Sequence, residues 1–340
     1  MINIISTQAR HSNITGPAKV FRNLVKGLDK IGYPYVINRD LNATKRLWIH
    51  DDITALRYMH RSKAYKVVGP NLFVMPSDIP PGISFDGALY LQPCEWAKQV
   101  WELVGFNACP IAAWPVGIDT DEFLPVPVPQ SKRHVLVYHK MRDPQELPRI
   151  FEALHNLRLD YRFALYGDYT EVEYKQLLSK TSFVVWHGRA ESQGIALQEA
   201  MACNIPILLC DVTSVAQTRG GYAFTSELHN FPVTAAPYFS ELCGIRITDL
   251  NDLPGTLERM CEMQASFQPR QYVLENLSLQ SQAQTLIRFW ENWDMSFEQG
   301  LTETCMTNRE WSGHPLLPQL AKRGWEKLKP ALADTLRRIR

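Results

Sequence analysis

The stretch Glu191–Pro206, ESQGIALQEAMACNIP, constrains this chain more than any other. It follows the apolar run Phe183-Val184-Val185-Trp186, which reads as a short buried strand. Gly194 marks a turn, and Ile195, Leu197, Ala200, Met201 and Ala202 then supply the apolar positions of a helix. A helix starting there points unpaired backbone N–H groups outward, with the positive end of its dipole behind them. Glycine lets a ligand approach that backbone closely, and such a terminus suits a phosphate. Glu191 lies just before the turn and Glu199 about one turn into the helix. One carboxylate can therefore meet a group beyond the phosphate and the other a group on the near side. Carboxylates accept hydrogen bonds from paired hydroxyls, as sugars and riboses offer.

The whole pattern resembles the E-x7-E signature of retaining GT-B glycosyltransferases, especially the large family 4. In that family the stretch usually reads close to E-S-F-G-L-x-L-x-E-A-M-A-C-G-x-P. Here Gln193 stands in place of the aromatic residue and Asn204 in place of the last glycine. The resemblance implies an α/β chain of two Rossmann-like domains facing each other across a cleft, with a C-terminal helix crossing back to the first domain. It implies that Glu191 holds the donor sugar's hydroxyls and Glu199 the nucleotide ribose. Gln193, Gly194 and Ile195 would line the donor diphosphate.

Length agrees with two domains, since the chain has 340 residues. An apolar share of 45% with 21% charged residues describes a soluble globular protein. A formal net charge of +1 argues against a surface that coats polyanions broadly. The cysteines number seven, with no C-x-x-C pair, and read as mostly buried, reduced thiols of a cytoplasmic protein. No charged-then-apolar leader opens the chain, and no apolar run approaches the length of a membrane span.

The N-terminal half opens as a βαβ unit. Ile2–Ser6 is a strand, Pro17 suits a helix's first turn, and Val20, Phe21, Leu24, Val25, Leu28 and Ile31 form the helical stripe. The related family carries glycines in the first loop that let its backbone face the donor. Gly16 is what remains of them here, either as a donor contact or as a simple turn. Strands follow at Tyr33–Asn38, Arg46–His50, Tyr65–Gly69, Gly87–Gln92 and Ile111–Trp114, with a helix at Glu95–Val104. His50, Asp51 and Asp52 end one of these strands, where open α/β sheets bind ligands, although capping of the next helix is the simpler role. His50, Asp51 and Asn71 are the acceptor-side candidates; the family often has a histidine near the position of Asn71. Pro115–Phe123 resembles the family's P-N-G-V-D-x-x-x-F segment, with Val116 in place of the asparagine. Pro125, Pro127 and Pro129 alternate after it and favour an extended connector, so the first domain is expected to span 1–129.

The second domain is expected over 130–294. It opens with the strand His134–Tyr138, then His139-Lys140-Met141-Arg142. The family has Gly-Arg here and a lysine a few residues on, both meeting donor phosphates. Lys140 takes the arginine's place, and Arg142 is near enough to share the work. A helix is expected over Pro144–Leu157, a strand over Arg162–Tyr166, and the turn Gly167-Asp168-Tyr169 resembles the family's turn near the nucleotide base. Tyr169 is either a base-stacking residue or an exposed turn tyrosine. The likeness ends near Asp294. The tail 295–340 ends in a basic amphipathic segment, Pro318–Arg340, that suits either an anionic membrane surface or the body of its own protein.

The activity so implied is transfer of a sugar from a nucleotide-sugar donor to an acceptor hydroxyl of a glycan or lipid, with retention and without a metal or other cofactor. Lys140, Arg142 and the amides around Gly194 would hold the charge developing on the departing diphosphate, with Glu191 beside the sugar. A different class is a sugar-nucleotide-binding protein without transferase activity, toward which Asn71 and Val116 point; the intact Glu191/Glu199 pair points to an enzyme. A third possibility keeps the enzyme and takes a DNA base as acceptor, with the tail's arginines meeting phosphates, though the net charge lends it no support.

Overall fold

A computed structural model describes residues 1–10, 15–70, 72–125, 134–218 and 226–298. Contacts divide the chain into two units, Met1–Ile118 with the chain from Asn276, and Asp119–Glu275. The divide expected at 129 and most of the alternating prolines fall within 126–133, outside the described residues, as does the basic segment Pro318–Arg340.

The first unit is built on β1 (Ile2–Ile5), α1 (Gly16–Lys30), β2 (Tyr35–Ile37), β3 (Arg46–Ile49), α2 (Ile53–Tyr58), β4 (Tyr65–Val68), β5 (Ala88–Gln92), α3 (Glu95–Leu103) and β6 (Ile111–Ala113). All strands are parallel, in the order β2-β1-β3-β4-β5-β6. Parallel strands covered on both faces are apolar throughout, and Leu47, Ile49, Val68, Ala88 and Tyr90 are all buried. α1 starts where the sequence places it. The Thr15 hydroxyl accepts from the Ala18 amide, and Pro17 fixes the first turn.

The second unit contains β7 (His134–Lys140), α4 (Leu147–Asn156), β8 (Tyr161–Leu165), α5 (Glu171–Leu178), β9 (Thr181–Gly188), α6 (Ile195–Ala202), β10 (Ile207–Cys210), β11 (Gly244–Ile247), α7 (Leu253–Met263) and α8 (Pro269–Asn276). Its parallel sheet runs β11-β10-β9-β7-β8. Two differences from the sequence reading matter. Pro144–Glu146 is a separate 3-10 turn ahead of α4, because Pro144 and Pro148 each deny the helix a backbone donor. β7 and β9 also run longer than expected, to Lys140 and Gly188, which carries them into the site.

The chain returns to the first unit through α9 (Leu279–Glu298), which packs on α1. The indoles of Trp114 and Trp290 tie it down, donating to the carbonyls of Gln282 and Tyr65 at 3.0 and 3.1 Å respectively. Gly27 and Gly117 let the backbones meet: a Cβ on either would lie 2.6 Å from the Leu279 main chain. Among the described residues no helix is long and apolar enough to cross a membrane.

Gly27→Ala should therefore lower the melting temperature, at a cost of about 1–3 kcal/mol for overpacking. Gly255→Ala, in α7 with nothing within 4 Å of the added carbon, should raise it by removing a helical glycine, worth about 0.5–1 kcal/mol. Thermal unfolding of the two variants checks the opposite signs; equal shifts would refute the close approach of α1 and α9.

Candidate functional site

β7 and β9 pair in register, with Tyr138 opposite Trp186, His139 opposite His187 and Lys140 opposite Gly188. Because side chains alternate along a strand, these three pairs fall on alternate faces. His139 and His187 share the face of Val137 and Val185 in the core. Tyr138 and Trp186 lie on the other, with rings stacked at 4.0 Å and 5°. Gly188 is a packing requirement, since a Cβ there would stand 2.6 Å from the Trp186 indole nitrogen.

Past Gly188 the chain turns through Glu191 into α6. Gly194 caps that helix at φ +72°, ψ +36°, a left-handed conformation that favours glycine. A Cβ on Gly194 would meet the Pro237 ring at 4.0 Å, an ordinary contact, so the backbone conformation and not crowding selects glycine there. No acidic residue stands in the first turn to compete for the helix's positive end. Gln193 and Ile195 flank the cap, each half-buried, and the Gln198 side-chain amide donates to the Gln193 carbonyl at 2.7 Å, holding the turn closed. The Glu191 amide donates to the Thr234 carbonyl at 3.0 Å. At the end of α6, Asn204 takes φ +59°; asparagine tolerates this conformation, which explains why it can stand where the resembling signature has glycine.

The expected cation and carboxylate are in direct contact. Lys140 Nζ lies 2.6 Å from Glu191 Oε1 and 4.1 Å from the centroid of the Tyr166 ring. Glu199 is buried in α6 beside Tyr169 and Tyr174. The Tyr169 hydroxyl is 2.7 Å from that of Tyr138, and the Tyr174 hydroxyl donates to the Ala196 carbonyl in α6. Burial, with the Glu199 charge nearby, pushes both Tyr169 and Tyr174 above the ordinary phenol range. Tyr169 is thus half-buried and partnered, not an exposed turn residue. Tyr138 and Trp186 become site neighbours through the strand register, which one strand alone does not reveal, and Tyr166 stands just beyond the end of β8.

Arg142 does not join Lys140. Met141 adopts φ +53° and turns the chain, and the Arg142 guanidinium is buried. It donates to Glu146 at 2.8 Å and to the carbonyls of Cys210 and Gly188 at 3.1 and 3.4 Å. A cation so committed holds protein, not a ligand, so the expectation that it shares the phosphate is corrected. Glu146 also lies 2.6 Å from His187 Nε2, and His187 Nδ1 lies 2.9 Å from His139 Nδ1. Burial, then the neighbouring His187 and Arg142, lowers the His139 pKa to about 3. Burial likewise lowers that of His187. For Glu146, burial acts to raise the pKa, but the His187 and Arg142 partners together outweigh it and lower it to about 2.

The acceptor-side candidates lie in the first unit and serve its loop. Asp51 accepts from Ser6 Oγ, the Thr7 amide and hydroxyl, and the Gln8 side chain, at 2.6–2.9 Å. Burial acts to raise its pKa, but the side chains of His50, Thr7 and Gln8 hold it well below the usual carboxylate range. His50 is buried between Phe21 and Trp48, 3.1 Å from Ser6 Oγ. Asp52 is the cap of α2, accepting from the Ala55 amide. Asn71 lies outside the described residues. Gly16 is the first residue of α1 and is exposed, with open space about it. Among the described residues no group of three His, Cys, Asp or Glu is placed to hold a metal ion.

No family model matches the chain, and no curated protein matches it. Solved structures do. A sucrose-phosphate synthase from Thermosynechococcus elongatus is similar with a TM-score of 0.57 at 12% identity, over 87% of this chain and 99% of that one. HepE from Anabaena, solved in complex with UDP, gives a TM-score of 0.51 at 10% identity, over 86% of this chain and 99% of that one. Identities this low speak for the fold, which is GT-B, with two Rossmann-like α/β domains.

The histidine–glutamate chain makes stability acid-sensitive. The folded pKa of His139 lies below its ordinary 6.5, so its contribution is complete above pH 6.5 and is lost as pH falls toward 3. Glu146 acts in the same direction between 4.5 and 2. The melting-temperature gap between wild type and His139→Gln should therefore narrow steadily from pH 7 to pH 4. A constant gap would show that His139 is not buried neutral.

Proposed function

We propose that this protein is a retaining glycosyltransferase that moves a sugar from a nucleotide-sugar donor to an acceptor hydroxyl of a glycan or lipid, without a metal. The observation that carries this is the constellation at the carboxyl ends of β7 and β9. Lys140, Glu191, the α6 N-terminus at Gly194 and the buried Glu199 converge there in one unit. The GT-B fold and a similar structure solved with UDP support it.

The donor's diphosphate would lie against the α6 amides, where helix dipole and N–H groups favour an anion. Lys140 would exchange Glu191 for that diphosphate, which leaves the Glu191 carboxylate for the sugar's hydroxyls. Glu199 would take the ribose, and Tyr169 would border the base. No side chain is placed as a nucleophile in this scheme; the acceptor hydroxyl attacks from the side of the leaving phosphate. Lys140 and the amides would each supply about 2–4 kcal/mol toward the charge on the departing diphosphate.

A second reading, a nucleotide-sugar-binding protein without transfer, is favoured by one observation. Val116, where the resembling segment has asparagine, is fully buried in the core. Turnover separates the two.

Calorimetry with UDP-, ADP- and GDP-sugars should find one that binds, and Glu199→Ala should weaken it about tenfold, or about 1.4 kcal/mol, with the fold intact. Unchanged affinity would remove Glu199 from the site. With that donor, proton NMR should show an α-linked sugar delivered as an α-linked product, at a rate unaffected by excess chelator. Inversion would contradict retention, and a rate restored only by added magnesium or manganese would contradict the metal-free scheme.

A further inference from the structure

Arg142 and Glu146 have no part in the chemistry above, yet they form the most heavily connected polar cluster near it. Arg142 Nη1 reaches the carbonyls of Gly188, Cys210 and Asp211 at 3.4, 3.1 and 3.5 Å. These are the last residues of β9 and β10 and the first residue beyond. Carbonyls at strand ends have no ladder partner, and a buried group left unmatched is costly. Glu146 neutralises the guanidinium and, through the same oxygen, meets His187 beside Gly188.

The network continues to Glu191. The Asp211 carboxylate accepts from the Thr234 hydroxyl at 2.8 Å and the Ala235 amide at 2.6 Å. The Thr234 carbonyl in turn receives the Glu191 amide at 3.0 Å. Glu191 is thus held from two directions: through Gly188, three residues before it, and through Asp211 and Thr234.

We propose that Arg142 and Glu146 are positioning residues for Glu191, bracing the ends of β9 and β10 so that its carboxylate stands where a donor sugar's hydroxyls arrive. This rests on the glycosyl-transfer reading and adds to it a specific division. The brace serves the sugar end of the donor, whereas the α6 terminus and Glu199 serve the nucleotide end. Loss of the brace should therefore weaken a nucleotide sugar and spare the bare nucleoside diphosphate.

The test uses the full chain as wild type, Glu146→Gln, Arg142→Lys, Glu191→Gln and the double variant Glu146→Gln/Glu191→Gln. Calorimetry compares UDP-glucose with UDP, ADP-glucose with ADP, and GDP-mannose with GDP. For the pair the wild type binds, Glu146→Gln should weaken the sugar nucleotide about tenfold and the diphosphate less than about twofold. Arg142→Lys, which keeps one charged donor, should fall between. In the Glu191→Gln background the Glu146 change should cost nothing further, because it acts through a group already removed. Equal weakening of both ligands would mean a general structural role and overturn the proposal, as would a full loss persisting without Glu191. If Arg142→Lys does not fold, the isosteric Glu146→Gln still decides. If the wild type binds none of the sugar nucleotides, the transferase reading itself falls and the brace with it, an outcome distinct from a wild type that binds and a variant that does not discriminate.

Discussion

The parallel register of β7 with β9 is the constraint on which the second unit depends. A strand's two-residue period allows a side chain only two directions. With Tyr138 facing Trp186 and Lys140 facing Gly188, the lysine shares the aromatic pair's face, while the histidine pair is committed to the core side. A slip of one residue would exchange these populations. Slipping β7 against β9 would turn the Lys140 ammonium toward the core face that Val185 and His187 share, and would turn Val137 and His139 out of it. The apolar residues below, Val135, Val137 and Val185 among them, fix the register by their burial, so the site inherits its geometry from the packing of the core.

Charge is handled differently at the two faces. On the core side, Arg142 and Glu146 neutralise one another, and carbonyls take up the remaining guanidinium donors. Breaking one member of such a set leaves an uncompensated buried charge, which costs far more than the pair gains. On the opposite face the Lys140–Glu191 pair stands beside the Gly194 turn, where, in the proposed scheme, the donor diphosphate replaces one partner.

Much of this was legible in the sequence because the carrying signals are local. Gly194 at a turn, the apolar positions of α6 and the spacing of Glu191 and Glu199 require nothing beyond one strand, one turn and one helix. Thr15 and Pro17 announced α1 in the same way. What failed was non-local. Lys140 and Arg142 are both basic and two apart, so in an unbroken strand they would share a face. The left-handed Met141 breaks that alternation, and nothing in the residue type of methionine signals it. Likewise β11 has four residues and no alternation of its own. Its place is set by the contact of Gly244 with Ile207, a proximity that exists only after the fold has formed. The role of Asp51 was missed for a related reason, since its partners Ser6, Thr7 and Gln8 lie more than forty residues away.

The return of α9 to the first unit has a consequence for how the polypeptide is made. Trp114, Gly117 and Gly27 also pack against Leu279, Gln282 and Ala283 of α9, which lies at the end of the described chain. Residues 119–275 have their own sheet and core, and domains commonly fold as units while the chain still emerges. The unit that begins first therefore completes only once α9 has emerged, and the face of α1 that α9 covers stays exposed until then. For the first unit, order of synthesis and order of completion are thus reversed.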